Sequence, residues 1–262
     1  VSGFVWLVGA GPGDPELLTL RAARVLGQAE LVLYDALVDP AALELAPRAR
    51  RFPVGKRAGR PSLSQETIHR LMIAAARRGR RVVRLKCGDP FVLGRGGEEG
   101  LALAAAGVPF EVVPGVSAAV AAPALAGIPV THRGLASGFV VVSGHAEAAY
   151  GPVLDAIAPG SLTVVVLMGL ATRRAVAERM LARGWPPLTP AALVLGAATE
   201  AARAWTGPLS ALGTAPLPGP GDDAPGTIVV GAVVALADRL AHDLHAARRD
   251  PAVARAAARA SG

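Results

Sequence analysis

The chain has 262 residues, enough for one large or two smaller domains, and a hydrophobic content of 52% excludes a largely disordered protein. The formal charge is +7 and the pI about 10.8, which leaves acidic partners open, but aromatics at 4% with no interleaved basic cluster argue against a single-strand stacking platform. The lone Cys87 excludes an internal disulfide framework and fits a reducing, cytoplasmic compartment, and no apolar run reaches membrane-spanning length.

Phe4–Val8 reads as a buried strand, and the residues before it lack the basic flank and cleavage site of a signal peptide. Gly9-Ala10-Gly11-Pro12-Gly13-Asp14-Pro15-Glu16 follows. Asp14 is placed as an N-cap, with Pro15 at the first helical position and a helix through Leu17, Leu18, Leu20, Ala23 and Leu26. A dinucleotide-binding loop is the rival reading, but the spacing is G-x-G-x-G, and Pro12 removes a backbone donor that a pyrophosphate would use. Leu31–Asp35 is a second strand ending in a carboxylate, and a short helix lies near Leu43 and Leu45. Arg51–Val54 is a third strand, followed by the basic loop Gly55-Lys56-Arg57-Ala58-Gly59-Arg60. Ser64 to Thr67 opens an amphipathic helix through Ile68, Leu71, Met72 and Ala75.

Arg81–Val83 has strand character, and Arg84 to Glu99 reads as a glycine-rich loop at its carboxyl end, before a helix over Gly100–Ala106. Ligands of open α/β sheets bind at such ends. Phe110–Val113 is a strand, Pro114 to Ala118 a loop, and Ala119–Ala126 a helix of small residues. A boundary is placed near Arg133, giving domains 1–133 and 134–247 with an Ala/Arg-rich tail 248–262. The pattern then restarts with strands Phe139–Val142 and Leu162–Leu167, a helix from Ala171 to Arg183 and strand Ala192–Leu195. Arg203–Thr206 is placed as an antiparallel strand, Gly213 to Gly226 as a surface loop, Thr227–Val230 as the last strand and Ala235–Ala247 as the last helix. The expected fold is therefore α/β, two such domains flanking a cleft.

Val8 to Pro15, Leu18-Thr19-Leu20, Tyr34 to Val38, Gly55-Lys56-Arg57, the stretch 84–99, Pro114 to Ala118 and Gly127 to Arg133 together resemble the tetrapyrrole methyltransferases. The resemblance covers about residues 1–245, and Gly94 to Glu99 aligns it with the uroporphyrinogen-III C-methyltransferases rather than the later precorrin methyltransferases. It implies a class III methyltransferase fold rather than a Rossmann-type one, with S-adenosylmethionine held between two domains, S-adenosylhomocysteine as product and a homodimer. The implied reaction is C-methylation of uroporphyrinogen III at C2 and C7, through precorrin-1 to precorrin-2, for siroheme or cobalamin synthesis. It also implies a monofunctional enzyme, since the dehydrogenase/chelatase module of fused siroheme synthases is not seen. Cofactor contacts carried over from the family fall on Pro12, Cys87, Gly88, Asp89, Val92, Ser117, Ala118, Met168, Ala197 and Thr227, and the acid/base pair on Asp35 and Lys56. Cys87 stands where the family usually has Gly, Leu93 where it has Phe, and Leu167 where it often has Tyr.

Asp35 at a strand end suits proton acceptance as the methylated ring rearranges; a helix cap or a partner for Lys56 are its plainer roles. Arg57, Arg60, Arg84, Arg95 and Arg133 sit in or beside loops expected to face the cleft. Their forks match the eight carboxylates of uroporphyrinogen III. Glu98 and Glu99 are alternatively caps of the helix that follows. The histidines have no ligand-like spacing with acids or Cys87, so no metal is expected; His242 and His245 share one helix face, more consistent with a solvated surface. No nucleic acid or membrane partner is expected, although the pI keeps an RNA-binding protein as an alternative, and the departures at Cys87 and Leu167 keep a non-catalytic binder as another.

Overall fold

The structure is a computed structural model that describes residues 3–55, 63–216 and 224–240. Lys56, Arg57, Arg60, His242, His245 and the tail 248–262 lie outside the described residues. The chain divides into two compact units, Val1–Ser117 and Ala118–Gly262.

The first unit holds β1 (Phe4–Gly9), β2 (Leu31–Tyr34), β3 (Arg50–Pro53), β4 (Arg81–Lys86) and β5 (Phe110–Val113). They form one sheet in the order β3-β2-β4-β1-β5, and every pair is parallel. Helices α1 (Leu20–Gln28), α2 (Pro40–Glu44), α3 (Gln65–Arg77) and α4 (Gly96–Ala105) connect them. The period of two along each strand sorts the apolar residues between two faces. Val8, Val32, Val83 and Leu85 pack with Val25 and Leu26 of α1 and Ala42 and Leu43 of α2. Leu7, Leu33 and Val82 pack with Ile68 and Met72 of α3 and Leu103 of α4. The register sets Gly9 beside Lys86, Val8 beside Val113 and Tyr34 beside Leu85, so the carboxyl ends of four strands meet along one edge.

Three elements of the first unit differ from their sequence-based expectation. The first helix is two pieces: a short 3-10 turn, Pro15–Leu17, capped by Asp14, and α1, which has its own cap in Thr19, whose Oγ1 accepts from the Ala22 N–H at 3.1 Å. Strand β4 runs three residues further than expected, through Arg84, Leu85 and Lys86. Helix α4 starts at Gly96, so Glu98 and Glu99 lie in its first turn, where carboxylates favour the helix dipole.

The second unit holds α5 (Ala118–Leu125), β6 (Phe139–Ser143), α6 (Glu147–Ala156), β7 (Thr163–Leu167), α7 (Arg173–Ala182), β8 (Pro190–Leu195), β9 (Arg203–Pro208), α8 (Leu209–Leu212), β10 (Gly226–Val230) and α9 (Ala237–Leu240). The sheet order is β6-β7-β10-β8-β9. Among the described residues, β6 and β7 alone pair in parallel; the other pairs are antiparallel. Small side chains let α5 lie close to this sheet: Ala119 and Ala122 pack with Val165, Ala192, Val194 and Val229. The sequence put the division near residue 133; the packing of α5 joins everything from Ala118 onward to the second unit. Helix α6, absent from the sequence reading, carries Gly151 and Pro152 in its interior. A Cβ on Gly151 would lie 3.0 Å from the Arg179 guanidinium, so the glycine lets α7 bring that arginine across to Glu147 and Asp155. Among the described residues, no helix is long and apolar enough to cross a membrane.

Candidate functional site

The carboxyl ends of β1, β4 and β5 carry three glycine loops in backbone contact. Gly88 N–H donates to the Gly11 carbonyl at 2.7 Å, and Gly11 N–H donates to that of Gly88 at 3.2 Å. A Cβ on Gly115 would lie 2.3 Å from the Gly88 oxygen and 2.7 Å from the Gly9 Cα, closer than real side chains come. Only glycine lets these loops meet. Asp89 ties two of them together: Oδ2 accepts from Gly115 N–H at 3.0 Å and Oδ1 from Phe91 N–H at 2.8 Å. Pro12 and Gly88 are buried beside them, Cys87 and Asp89 are half-buried, and Val92 is exposed. The Cys87 thiol is turned onto the Gly11 carbonyl, with Sγ to O at 3.8 Å. Burial first, and the nearby Asp35 charge second, push this thiol up to about 11. It is therefore a thiol, not a thiolate nucleophile, at neutral pH.

Beside the loops lies a cluster of charges. Arg84 and Lys86 share one face of β4, and both are buried, as is Glu99 of α4, which is 0% exposed. Oε1 of Glu99 accepts from Arg84 Nε at 3.0 Å, Lys86 Nζ at 2.9 Å and Gln65 Nε2 at 3.0 Å. Arg84 Nη1 reaches the carbonyls of Leu33 and Leu85, and Nη2 is paired with Oδ1 of Asp35, one residue past the end of β2. Of the four charged members, Asp35 is the one that meets solvent, with a side chain 27% exposed. Desolvation, then the Arg84 charge, push Lys86 below the ordinary lysine value against the pull of Glu99 and Asp35.

In the second unit, Thr227 pairs with Leu167, the neighbour of Met168, and Gly226 pairs with Leu195. Gly196 N–H donates to the Pro225 carbonyl at 2.8 Å. Met168, Ala197 and Thr227 thus collect at one end of the sheet; Met168 is 52% exposed, while Ala197 and Thr227 are buried. Among the described residues, the non-glycine residues with positive φ are Leu93, Arg95, Met168 and Ala198. All four lie in or next to the loops that the sequence marked, where strained backbone tends to gather at functional sites.

The structure brings Asp35 and Arg84 into contact and sets Pro12, Cys87, Gly88 and Asp89 side by side. Ser117 and Ala118, both half-buried, continue the Gly115 loop into α5, and Arg133 is exposed in the turn between His132 and Ala136. Arg95 is exposed and gives its fork to Glu98, at 2.9 and 2.7 Å. Arg84, expected to face a substrate carboxylate, has its donors turned inward to Glu99, Leu33, Leu85 and Asp35. The sequence marks Glu99 only as a cap of the following helix and does not single out Lys86 or Gln65; the available signal is two cations at alternate strand positions with an acid thirteen residues on. Among the described residues, no group of three or more His, Cys, Asp and Glu side chains converges as metal ligands would.

Comparison with known proteins gives consistent results. The tetrapyrrole (corrin/porphyrin) methylases match residues 5–213. The siroheme synthase of Ectopseudomonas mendocina is 48% identical over 242 residues, 91% of this chain and 52% of that protein. The siroheme synthase of Pseudomonas aeruginosa is 47% identical over 92% of this chain and 52% of its own length. The chain thus spans about half the length of the curated relatives it matches. A crystal structure of uroporphyrin-III C-methyltransferase from Thermus thermophilus is 46% identical, with a TM-score of 0.77 over 91% of this chain and 98% of that one. The same enzyme complexed with S-adenosyl homocysteine matches at 45% identity and a TM-score of 0.76, over 89% of this chain and 100% of that one. Cobalt precorrin-4 methyltransferase matches at 26% identity and a TM-score of 0.77, over 88% and 95%. On the extent of the family match and the identity to these relatives, the chain belongs to the tetrapyrrole (corrin/porphyrin) methylase family.

Proposed function

We propose that this chain methylates uroporphyrinogen III at C2 and C7, through precorrin-1 to precorrin-2, with S-adenosylmethionine as methyl donor. The observation that carries this is the match to the Thermus thermophilus uroporphyrin-III C-methyltransferase over 98% of that chain. The product would feed siroheme or cobalamin-type corrinoids. A homodimer and a cytoplasmic location belong to the same proposal, the second supported by the lone cysteine.

The residues present fit S-adenosylmethionine. Glycine contacts without room for a Cβ bring the three loops together backbone to backbone, with no side chain between them, and the Cys87 thiol, where the family usually has glycine, is taken up by the Gly11 carbonyl. The contacts proposed on the first unit are Pro12, Cys87, Gly88, Asp89, Val92 and Ser117; those on the second are Ala118, Met168, Ala197 and Thr227. Bound there, the cofactor supplies an electrophilic sulfonium methyl group, leaving S-adenosylhomocysteine. The protein's part is to orient the acceptor ring and exclude water. Asp35 takes the proton that the ring gives up as it rearranges, with Lys56 as its acid/base partner. Arg57, Arg95 and Arg133 hold substrate carboxylates. Arg84, with its donors already engaged, holds Asp35 instead.

The test is an anaerobic incubation with enzymatically generated uroporphyrinogen III and methyl-labelled S-adenosylmethionine, products being read by mass after oxidation. Two added methyl groups, lost in Asp35→Ala, are expected. Cofactor binding without transfer to this ring would overturn the assignment and direct attention to later precorrins, in line with the likeness to cobalt precorrin-4 methyltransferase.

A further inference from the structure

We propose that Glu99 is a positioning residue for the reaction: it fixes the Arg84 guanidinium and, through it, the carboxylate of Asp35. This rests on the proposed role of Asp35 as proton acceptor. A guanidinium is a rigid planar fork, so holding two of its nitrogens sets the direction of the third. Nη1 of Arg84 is held by two neutral carbonyls, at 3.4 and 3.2 Å. Nε is held by Glu99 at 3.0 Å, its one charged anchor besides Asp35 among the described residues. Glu99 is itself fully buried, and its Oε1 takes three donors from α3 and β4. Its position is therefore set by the core and not by solvent.

Lys86 gives the means to separate this role from plain charge balance. Arg84 and Lys86 are two buried cations facing the two anions Glu99 and Asp35. If Glu99 served only to neutralise them, removing it together with Lys86 would leave one cation and one anion and restore the site. If Glu99 aims Arg84, removing both restores the fold but not the alignment.

The experiment compares Lys86→Met with Lys86→Met/Glu99→Leu, the second replacing a buried pair by apolar groups, a change that folds often tolerate. The expected outcome is unchanged thermal melting, an affinity for S-adenosylmethionine within about twofold, and a kcat lower by about tenfold to a hundredfold. In an Arg84→Leu background, Glu99→Leu should cost no further kcat, because its effect passes through the residue already lost. Recovery of kcat along with the melting temperature, or losses that multiply in the Arg84→Leu background, would overturn the proposal. Should the parent chain transfer no methyl group, the uroporphyrinogen assignment falls, and the positioning role is decided by the crystal structure of Lys86→Met/Glu99→Leu. Loss of the Arg84–Asp35 pair there supports it; retention of the pair overturns it.

Discussion

Oδ2 of Asp89 accepts a hydrogen bond at 3.0 Å from the backbone N–H of Gly115, 26 residues away in sequence. One carboxylate thereby joins the loop after β4 to the loop after β5. Hydrogen bonds to charged groups contribute about 1.5–3 kcal/mol. Asp89→Ala should therefore loosen both loops and weaken S-adenosylhomocysteine binding by about tenfold or more. Titration calorimetry checks this; an unchanged dissociation constant would show that the tie is irrelevant to the ligand.

Met168 has a φ of +57° and leaves half its surface to solvent. A left-handed non-glycine residue costs about 1–2 kcal/mol, and an exposed side chain recovers little of that through burial. Met168→Gly should raise the urea midpoint, by an amount equal to about 1 kcal/mol after the added chain entropy of glycine is subtracted. Cofactor affinity should fall in the same variant. Opposite signs in the two measurements would mark strain kept for binding; a fall in both would mean that Met168 supports the fold.

The Cys87 thiol has a folded value of about 11 against an ordinary 9.0. The folded state holds this proton more tightly than the unfolded state does. The resulting stability is fully present below about pH 9 and is lost as pH rises towards 11. Two units correspond to at most about 3 kcal/mol. Native protein at pH 8 should react with iodoacetamide far more slowly than protein unfolded in urea. Cys87→Ala should also flatten the fall in stability between these pH values. Rapid native alkylation at pH 8 would contradict the burial of this thiol.

Much of the scaffold was legible because its signals are local. Ser64 before Gln65 and Glu66 announces α3, and its Oγ accepts from Thr67 N–H at 3.2 Å as a cap should. The sequence marks Arg203–Thr206 as an antiparallel strand, and β9 pairs in that way with β8. Two of the failures have different causes, one a tertiary contact overriding local preference and one a local cap. Pro152 breaks the expected helical pattern, yet α6 persists because Tyr150 and Leu154 are buried in the core of the second unit. Leu18 fits the apolar period of a single first helix, but the chain turns extended there before Thr19 caps α1.

The charged cluster was illegible for a related reason. Arg84 and Lys86 look like the edge of a solvated loop in one dimension. They are strand residues, paired with β1 and β2, and Glu99 of α4 meets their charges inside the fold. Asp35 could be picked out by its place at the end of a strand. The partner that anchors its arginine lies 64 residues further along, and no spacing rule connects the two.

The order of the second sheet has a consequence for how the chain emerges from the ribosome. Strand β10, made after residue 225, occupies the middle of the sheet between β7 and β8. Until it is synthesised, Thr163–Leu167 and Pro190–Leu195 each wait for their common neighbour, with apolar strand edges open to unintended pairing. The first sheet has no such delay, since its strands are complete by Val113. A nascent chain stalled before Gly226 would thus carry one sheet with all its strands and one split along its centre.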